Sequence, residues 1–286
     1  MKSEQWFPVE VDGGLRFRPD DYRQIVFHGV NKSGSLVLSD VIRNSYIREE
    51  RGHEFFSQYH QQPADLGELL RVLESQNAPG FFVAHYLYGR FKAPKERRLL
   101  FTQVRHPLPR IVSCYQWLLN KHQGQQGDGQ GFPSLDEFVR SGRGKSHSQI
   151  VQFGVGWGLN DPDRRKLIRE LSPEEIRARA VRAIERDVGL VGVAEYSEET
   201  IFLLAHVCGL TEVPAWRRDV RNKGRPFVSE LSEETIRLIE DVYEEDFRLY
   251  NWVKERFFEQ LDGLKFGPSL ATYKHVCAGE YKDRLL

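Results

Sequence analysis

The chain has 286 residues, enough for one large α/β domain or two small ones. Lys+Arg and Asp+Glu both number 41, so the formal charge is zero and the basic excess of a nucleic-acid binder is missing. No apolar run reaches the ~18 residues of a membrane span, and the N-terminus lacks a signal-peptide core, so a cytoplasmic protein without stable membrane insertion or nucleic-acid partner is expected.

In chain order, residues 1–21 read as an irregular arm. A strand follows at 24–29, then a small-residue loop and a helix over 36–48. Leu66, Leu69, Leu70 and Leu73 recur at helical spacing within 64–75. Short apolar runs at 81–84 and 98–104 read as buried strands. Pro107 suits a first helical turn, and that helix is expected to end near Asn120. Residues 121–131, rich in Gly and Gln, read as a mobile loop. Ser134 and Ser172 are N-cap signals, each followed three residues later by Glu. The helix after Ser172 is expected to reach Arg186. Residues 188–193 are a strand, 197–208 a helix stopped by Gly209, and Ser232 opens one long helix to Phe258. The tail, 264–286, is poorly patterned.

Strands alternate with helices, which predicts a single domain spanning 1–286, with a central parallel sheet flanked by helices. In such sheets ligands bind at the carboxyl ends of the strands. Cys114, Cys208 and Cys277 lack metal-ligand spacing and fit a reducing compartment, the first two as buried packing residues. The nine histidines are scattered, so no metal is expected.

Two stretches carry chemistry. The first is Asn31-Lys32-Ser33-Gly34-Ser35-Leu36, between a strand and a helix. Backbone N–H groups, the helix dipole and a lysine make such a turn an anion site. Its lysine precedes its glycine, so it is not the Gly-Lys-Ser/Thr phosphate loop. By itself it is also compatible with a plain solvent turn. The second stretch is Thr102-Gln103-Val104-Arg105-His106-Pro107-Leu108-Pro109-Arg110-Ile111-Val112-Ser113-Cys114-Tyr115. There Arg105 offers a planar fork to a phosphate and Ser113 a hydroxyl, unless they serve as a structural ion pair and a packed helix residue.

Together these stretches resemble the two signature elements of sulfotransferases that use 3′-phosphoadenosine 5′-phosphosulfate (PAPS). The usual forms are Pro-Lys-Ser/Thr-Gly-x-Thr/Ser and Arg-Asp/Asn-Pro-x-x-Arg-x-x-Ser-x-Tyr. Three further segments resemble the carbohydrate (heparan-sulfate 2-O-sulfotransferase-like) branch of that family. They are 82–89, 190–195 and 245–250, the last with Asp246, Leu249 and Tyr250. Asn31 replaces the usual proline, Leu36 a Thr or Ser that helps bind the 5′-phosphate, and His106 an Asp or Asn.

The resemblance implies a P-loop-kinase-like sulfotransferase fold and sulfuryl transfer from PAPS to a hydroxyl acceptor. Adenosine 3′,5′-bisphosphate would be the product. Lys32, Ser33, Gly34, Ser35 and Leu36 would bind the 5′-phosphosulfate, with Lys32 also catalytic. Arg105 and Ser113 would grip the 3′-phosphate, and Lys223 and Gly224 would close on it. His85, after the strand at 81–84, is the expected general base; His53 and Glu54 are reserves, since some relatives use a glutamate from that region. The acceptor would be a small molecule or saccharide, glycolipid or secondary metabolite. Segments 43–60, 123–131 and 142–158 are expected to shape its pocket, and Arg43, Arg48, Arg51, Arg140, Arg143 and Lys145 in or beside them would suit an anion. Golgi members of the branch carry a membrane anchor; here a soluble form is expected. Two other readings stay open: a nucleotide-dependent phosphotransferase of related fold, and a non-catalytic module keeping a degenerate PAPS site.

Overall fold

Two short strands open the chain, β1 (Trp6–Pro8) and β2 (Val11–Gly13), followed by β3 (Gln24–Gly29) and α1 (Ser35–Arg48). Then come β4 (Phe55–Ser57), α2 (Leu66–Glu74), β5 (Gly80–Ala84), β6 (Arg98–Val104) and the long helix α3 (Pro107–Gln126). Helices α4 (Leu135–Arg140), α5 (Gln149–Gly154), α6 (Pro162–Glu170) and α7 (Pro173–Asp187) lead to β7 (Leu190–Val193). The chain closes with α8 (Ser197–Val207), β8 (Glu212–Pro214), α9 (Glu233–Val242), α10 (Glu244–Leu261), β9 (Leu264–Phe266) and α11 (Pro268–Cys277). This computed structural model describes residues 5–13, 24–57, 66–74, 80–84, 98–126, 131–156, 162–216 and 228–277.

Five strands form one sheet in the order β4-β5-β3-β6-β7, every pair parallel. All residues of β3, β5, β6 and β7 are buried. Since alternate side chains point to opposite faces, burial of consecutive residues means that both faces are covered by helices. The protein is thus a mixed α/β fold around a central parallel sheet. On one face Phe55, Phe81, Phe27 and Phe101 form an aromatic seam, with successive ring centroids 5.6, 6.3 and 4.8 Å apart. Truncating one of these rings to alanine is expected to cost about 3–5 kcal/mol.

Local signals explain most helix starts. Ser134 and Ser172 each form a capping box with Glu137 and Glu175, and Ser232 accepts from the Thr235 N–H at 3.1 Å. Several elements depart from the sequence reading. Helix α3 continues to Gln126, through half of the expected mobile loop, because Lys, His and Gln sustain a helix and one Gly costs it only about 1 kcal/mol. The single long helix after Ser232 is two, broken at Tyr243, whose ring is buried among Phe138, Val139 and Ile239. The arm is not wholly irregular: β1 pairs with β8 and β2 with β9, both antiparallel. The tail is likewise ordered through 277, with Tyr273 buried against Phe7 and its hydroxyl donating to the Pro214 carbonyl at 3.2 Å. The charged helix α6 and the edge strand β4 have no counterpart in the sequence reading.

Candidate active site

The loop after β3 is a tight structure held from inside. Ser33 Oγ donates to the Val30 carbonyl at 2.8 Å, Ser35 Oγ to the same oxygen at 3.2 Å, and the two hydroxyls lie 3.0 Å apart. Both serines are buried, so their hydroxyls serve the loop and only their main chains are left to meet a ligand. Lys32 has φ 66°, a left-handed conformation that a lysine adopts only when its surroundings impose it. Gly34 has φ 84° and caps α1. The first bond one turn into the helix is Leu38 N–H to the Gly34 carbonyl at 3.3 Å. Ser35, Leu36 and Val37 therefore present N–H groups that make no bond to a carbonyl four residues back, at the positive end of the dipole. The Leu36 side chain is 42% exposed and brings no hydroxyl to this end.

The second stretch covers the end of β6 and the first turns of α3. Gly29 of β3 is level with Gln103 of β6, so both loops leave the same edge of the sheet. Gln103 reaches across and donates from Nε2 to the Ser33 carbonyl at 2.6 Å. A Cβ on Gly34 would stand 3.3 Å from that amide nitrogen, which is why the left-handed residue here is best a glycine. Arg105 donates from Nη1 to the Lys32 carbonyl at 3.3 Å. Along α3, Ser113 and Trp117 are one turn apart and share a face. Lys32 Nζ lies 5.0 Å from the centre of the Trp117 ring, so the lysine of the first stretch runs beside the serine-bearing face of the second. Ser113 is 5% exposed, and among the described residues its hydroxyl has no hydrogen bond. Burial pushes the neighbouring Cys114 thiol up, against the pull of Arg110 and Lys32, leaving it an inert packing group.

A polar frame stands behind these loops. Gln149 accepts from the Arg105 N–H at 2.9 Å and donates to the Arg105 carbonyl at 3.0 Å. Gln152 accepts from the Asn31 N–H at 3.0 Å and donates to the His147 carbonyl at 2.9 Å. Their short helix, α5, is pinned by Asp246, which accepts from the Ile150 N–H at 2.9 Å and pairs with Arg110 at 2.8 Å, both side chains 1% exposed. Burial pushes the Asp246 carboxyl up, while Arg110 and the N–H groups of Ile150 and Gln149 hold it down. Glu195, just after β7, accepts from the His106 N–H at 3.0 Å and from the Tyr250 hydroxyl at 3.2 Å. The segments at 190–195 and 245–250 thus frame the Arg105 corner.

The chain's two motif stretches and the segments that support them fall within residues 16–253, which match the profile of the sulfotransferase family. The chain belongs to the sulfotransferase family. No curated protein matches it. The parallel sheet flanked by helices is consistent with the fold of a sulfotransferase.

Of the sulfotransferase site residues named from sequence, Lys32, Ser33, Gly34, Ser35, Leu36, Arg105 and Ser113 stand at the carboxyl edge of the sheet. His85, Lys223 and Gly224 lie outside the described residues; Ala84, just before His85, pairs with His28 near that same edge. The reserve bases are elsewhere. Phe55 is in register with Phe81, and Phe81 with Ile25, so His53 and Glu54 precede β4 at the amino edge, about 20 Å of strand away. Glu54 is engaged there by Arg51 at 2.9 Å, and the His53 side chain is 78% exposed. The reason is the three-residue strand β4, which makes the residues before it an entrance to the sheet. Two of the basic residues proposed for an anionic acceptor sit at that end too: Arg48 pairs with Glu212 at 2.8 Å and Arg51 with Glu54.

Gln103, Gln149, Gln152 and Trp117 are assigned no role in the sequence reading. The glutamines border or interrupt apolar runs, which is a visible signal of a buried polar role, but their partners are main-chain atoms that no pattern marks. A cavity of about 410 Å³ lies on the far side of α5, lined by Ile150, Val151, Asp241, Tyr243 and Glu245 among others. Gln149 and Gln152 lie on the other face of that helix, and the carboxylates make the cavity unsuited to an anionic donor. Among the described residues no group of three His, Cys, Asp or Glu side chains is placed to hold a metal, and no helix is long and apolar enough to cross a membrane.

Proposed function

We propose that this sulfotransferase moves a sulfuryl group from PAPS to a hydroxyl of a saccharide, glycolipid or secondary metabolite. The observation that carries the reading is the junction of the two stretches, where Arg105 Nη1 meets the Lys32 carbonyl at 3.3 Å. It puts a lysine, a helix N-terminus and a guanidinium at one sheet edge, as a ligand with two separated anionic groups requires. The residues present fit such a ligand: Gly34 leaves three N–H groups without a helical bond at the start of α1, and Ser113 keeps its hydroxyl uncommitted among the described residues. The donor supplies an activated sulfuryl group. Lys32 and the N–H groups of Ser35, Leu36 and Val37 offset charge at its 5′ end, most strongly as charge builds on the oxygen that leaves. Arg105 and Ser113 hold its 3′-phosphate, with Lys223 and Gly224 closing over it. His85 takes the proton of the acceptor hydroxyl, which must attack in line with the leaving oxygen. Resemblance to the carbohydrate branch favours a sugar hydroxyl.

Thermal stability separates this reading from its rivals. Adenosine 3′,5′-bisphosphate should raise the melting temperature more than AMP or ATP with magnesium, by the equivalent of about 2.7 kcal/mol at a hundred times its Kd. Stabilisation by ATP with magnesium alone would sink the proposal in favour of a phosphotransferase. His85→Ala should then lower turnover by about 10²–10⁴-fold with bisphosphate affinity retained. Unchanged turnover would move the base elsewhere, and absence of transfer by the wild type across a broad acceptor panel would favour a binding module.

A further inference from the structure

Gln149 and Gln152 are both 0% exposed and sit three residues apart in one short helix among Ile150, Val151 and Phe153. A helix there that only filled space would be served by leucine or methionine, since a buried primary amide is costly unless its polar atoms are paired. Here the pairing goes to the two stretches that hold the motifs. Gln149 closes a two-bond ring with the main chain of Arg105, at 2.9 and 3.0 Å, as a strand would. Gln152 takes the N–H of Asn31, the residue before Lys32, at 3.0 Å and turns its own amide to the His147 carbonyl at 2.9 Å. That carbonyl also receives Arg110 at 2.7 Å, which ties the same turn to the buried Arg110–Asp246 pair.

We infer that Gln149 and Gln152 are positioning residues that set the two anion-binding stretches at a fixed separation, Gln149 governing the 3′-phosphate end through Arg105 and Gln152 the 5′ end through the Lys32 loop. This rests on the donor reading above. Neither side chain touches the ligand; both act on the main chain that presents the groups that do. Because one helical turn carries both, the spacing between Lys32 and Arg105 is determined by a rigid element and not by two loops that happen to meet.

The division of labour is testable by calorimetry with two ligands, adenosine 3′,5′-bisphosphate and AMP, which share the 5′-phosphate and differ in the 3′. Gln149→Ala should weaken the bisphosphate about tenfold, the scale of one or two lost hydrogen bonds, and change AMP by less than about twofold. Gln152→Ala should weaken both ligands by a similar factor. Gln149→Met and Gln152→Met keep the length of the side chain and serve the same measurement if an alanine variant does not fold. Equal losses for both ligands in Gln149 variants, in step with a lower melting temperature, would make the glutamine a packing residue and overturn the inference. So would unchanged affinities in a wild type that prefers the bisphosphate. A wild type with no such preference would remove the donor reading itself, and this inference with it, before any variant is made.

Discussion

Strand β6 has an arginine at its start and another just past its end, and the two are used differently. Arg98, at the amino edge, is 5% exposed. Its Nε and Nη2 donate to Gln24 Oε1 at 2.9 and 2.7 Å, its Nη2 also to the Leu73 carbonyl at 2.9 Å. Burial pushes its pKa down, and the bonds tie β6, β3 and α2 together. Arg105, at the carboxyl edge, is half-buried, and the glutamine beside it holds its main chain. At one edge a glutamine consumes the guanidinium; at the other a glutamine steadies the backbone and leaves the guanidinium directed at the Lys32 loop. The pairing of Arg with Gln is the same, and which group of the arginine the glutamine engages separates Arg98, a structural residue, from Arg105, proposed above to bind the donor.

The sharpest way to test this contrast lies at the carboxyl edge. Lys32→Ala should lower sulfuryl transfer by about 10²–10³-fold, as loss of one preorganised charge-stabilising donor does, with little change in melting temperature. A melting temperature that drops with activity would break the idea that this edge is built for binding. Next, the arginines should exchange no phenotypes. Arg98→Met strips Gln24 Oε1 of both guanidinium bonds and leaves the Leu73 carbonyl with Gln24 Nε2 alone, and should cost about 2–4 kcal/mol in urea unfolding while bisphosphate affinity holds. Arg105→Ala should weaken the bisphosphate about ten- to a hundredfold at nearly constant stability. If Arg98→Met loosened the ligand in a fully stable protein, the two edges would not be distinct.

A smaller effect is expected at Leu36. It is exposed at the start of α1, so Leu36→Thr gives up little packing and adds a hydroxyl beside the outward N–H groups. Bisphosphate affinity should rise about fivefold, within the range of one hydrogen bond to a charged group. A decrease would show that the apolar side chain itself contributes to the site. The smallest effect concerns pH. Burial holds the His106 imidazole below its ordinary 6.5, outweighing Glu195. The unfolded chain therefore binds the proton more readily, so this contribution to stability is complete above 6.5 and is lost as pH falls through the depressed folded value. His106→Asn should make the fall in melting temperature between about pH 7 and 5 shallower by one or two degrees. His206, shifted the same way by burial, keeps the remaining slope in the variant.

The parallel sheet is legible in the sequence because its long strands are buried on both faces and read as unbroken apolar runs, such as Leu99-Leu100-Phe101. Strand β4 is not, since Phe55-Phe56-Ser57 is too short to establish a period. That omission is what misplaces His53 and Glu54, because the direction of an edge strand decides which end of the sheet its flanks occupy. Helix α6 is mostly charged and shows little apolar stripe to read. The tail becomes ordered through β9 and Tyr273, whose partners β2 and Phe7 lie at the other end of the chain. In the candidate site, the proposed lysine, arginine and serine are picked out by type and spacing. The glutamines that hold them are not, because a side chain that binds main chain leaves no complementary residue to find.

The Arg110–Asp246 pair has a consequence for how the protein is made. Its members are 136 residues apart, and Glu195 is 89 residues from the His106 N–H it receives. Such distant contacts form late, since the intervening chain must first be brought together at an entropic cost. On the ribosome the Lys32 loop and Arg105 emerge early, but α5, capped locally by Ser148, lacks the long-range bond from its Ile150 N–H until Asp246 follows. Nascent chains that have not yet released α10 would therefore carry both motif stretches and still lack part of the frame that aligns them, so donor binding should rise once Tyr250 has emerged from the ribosome.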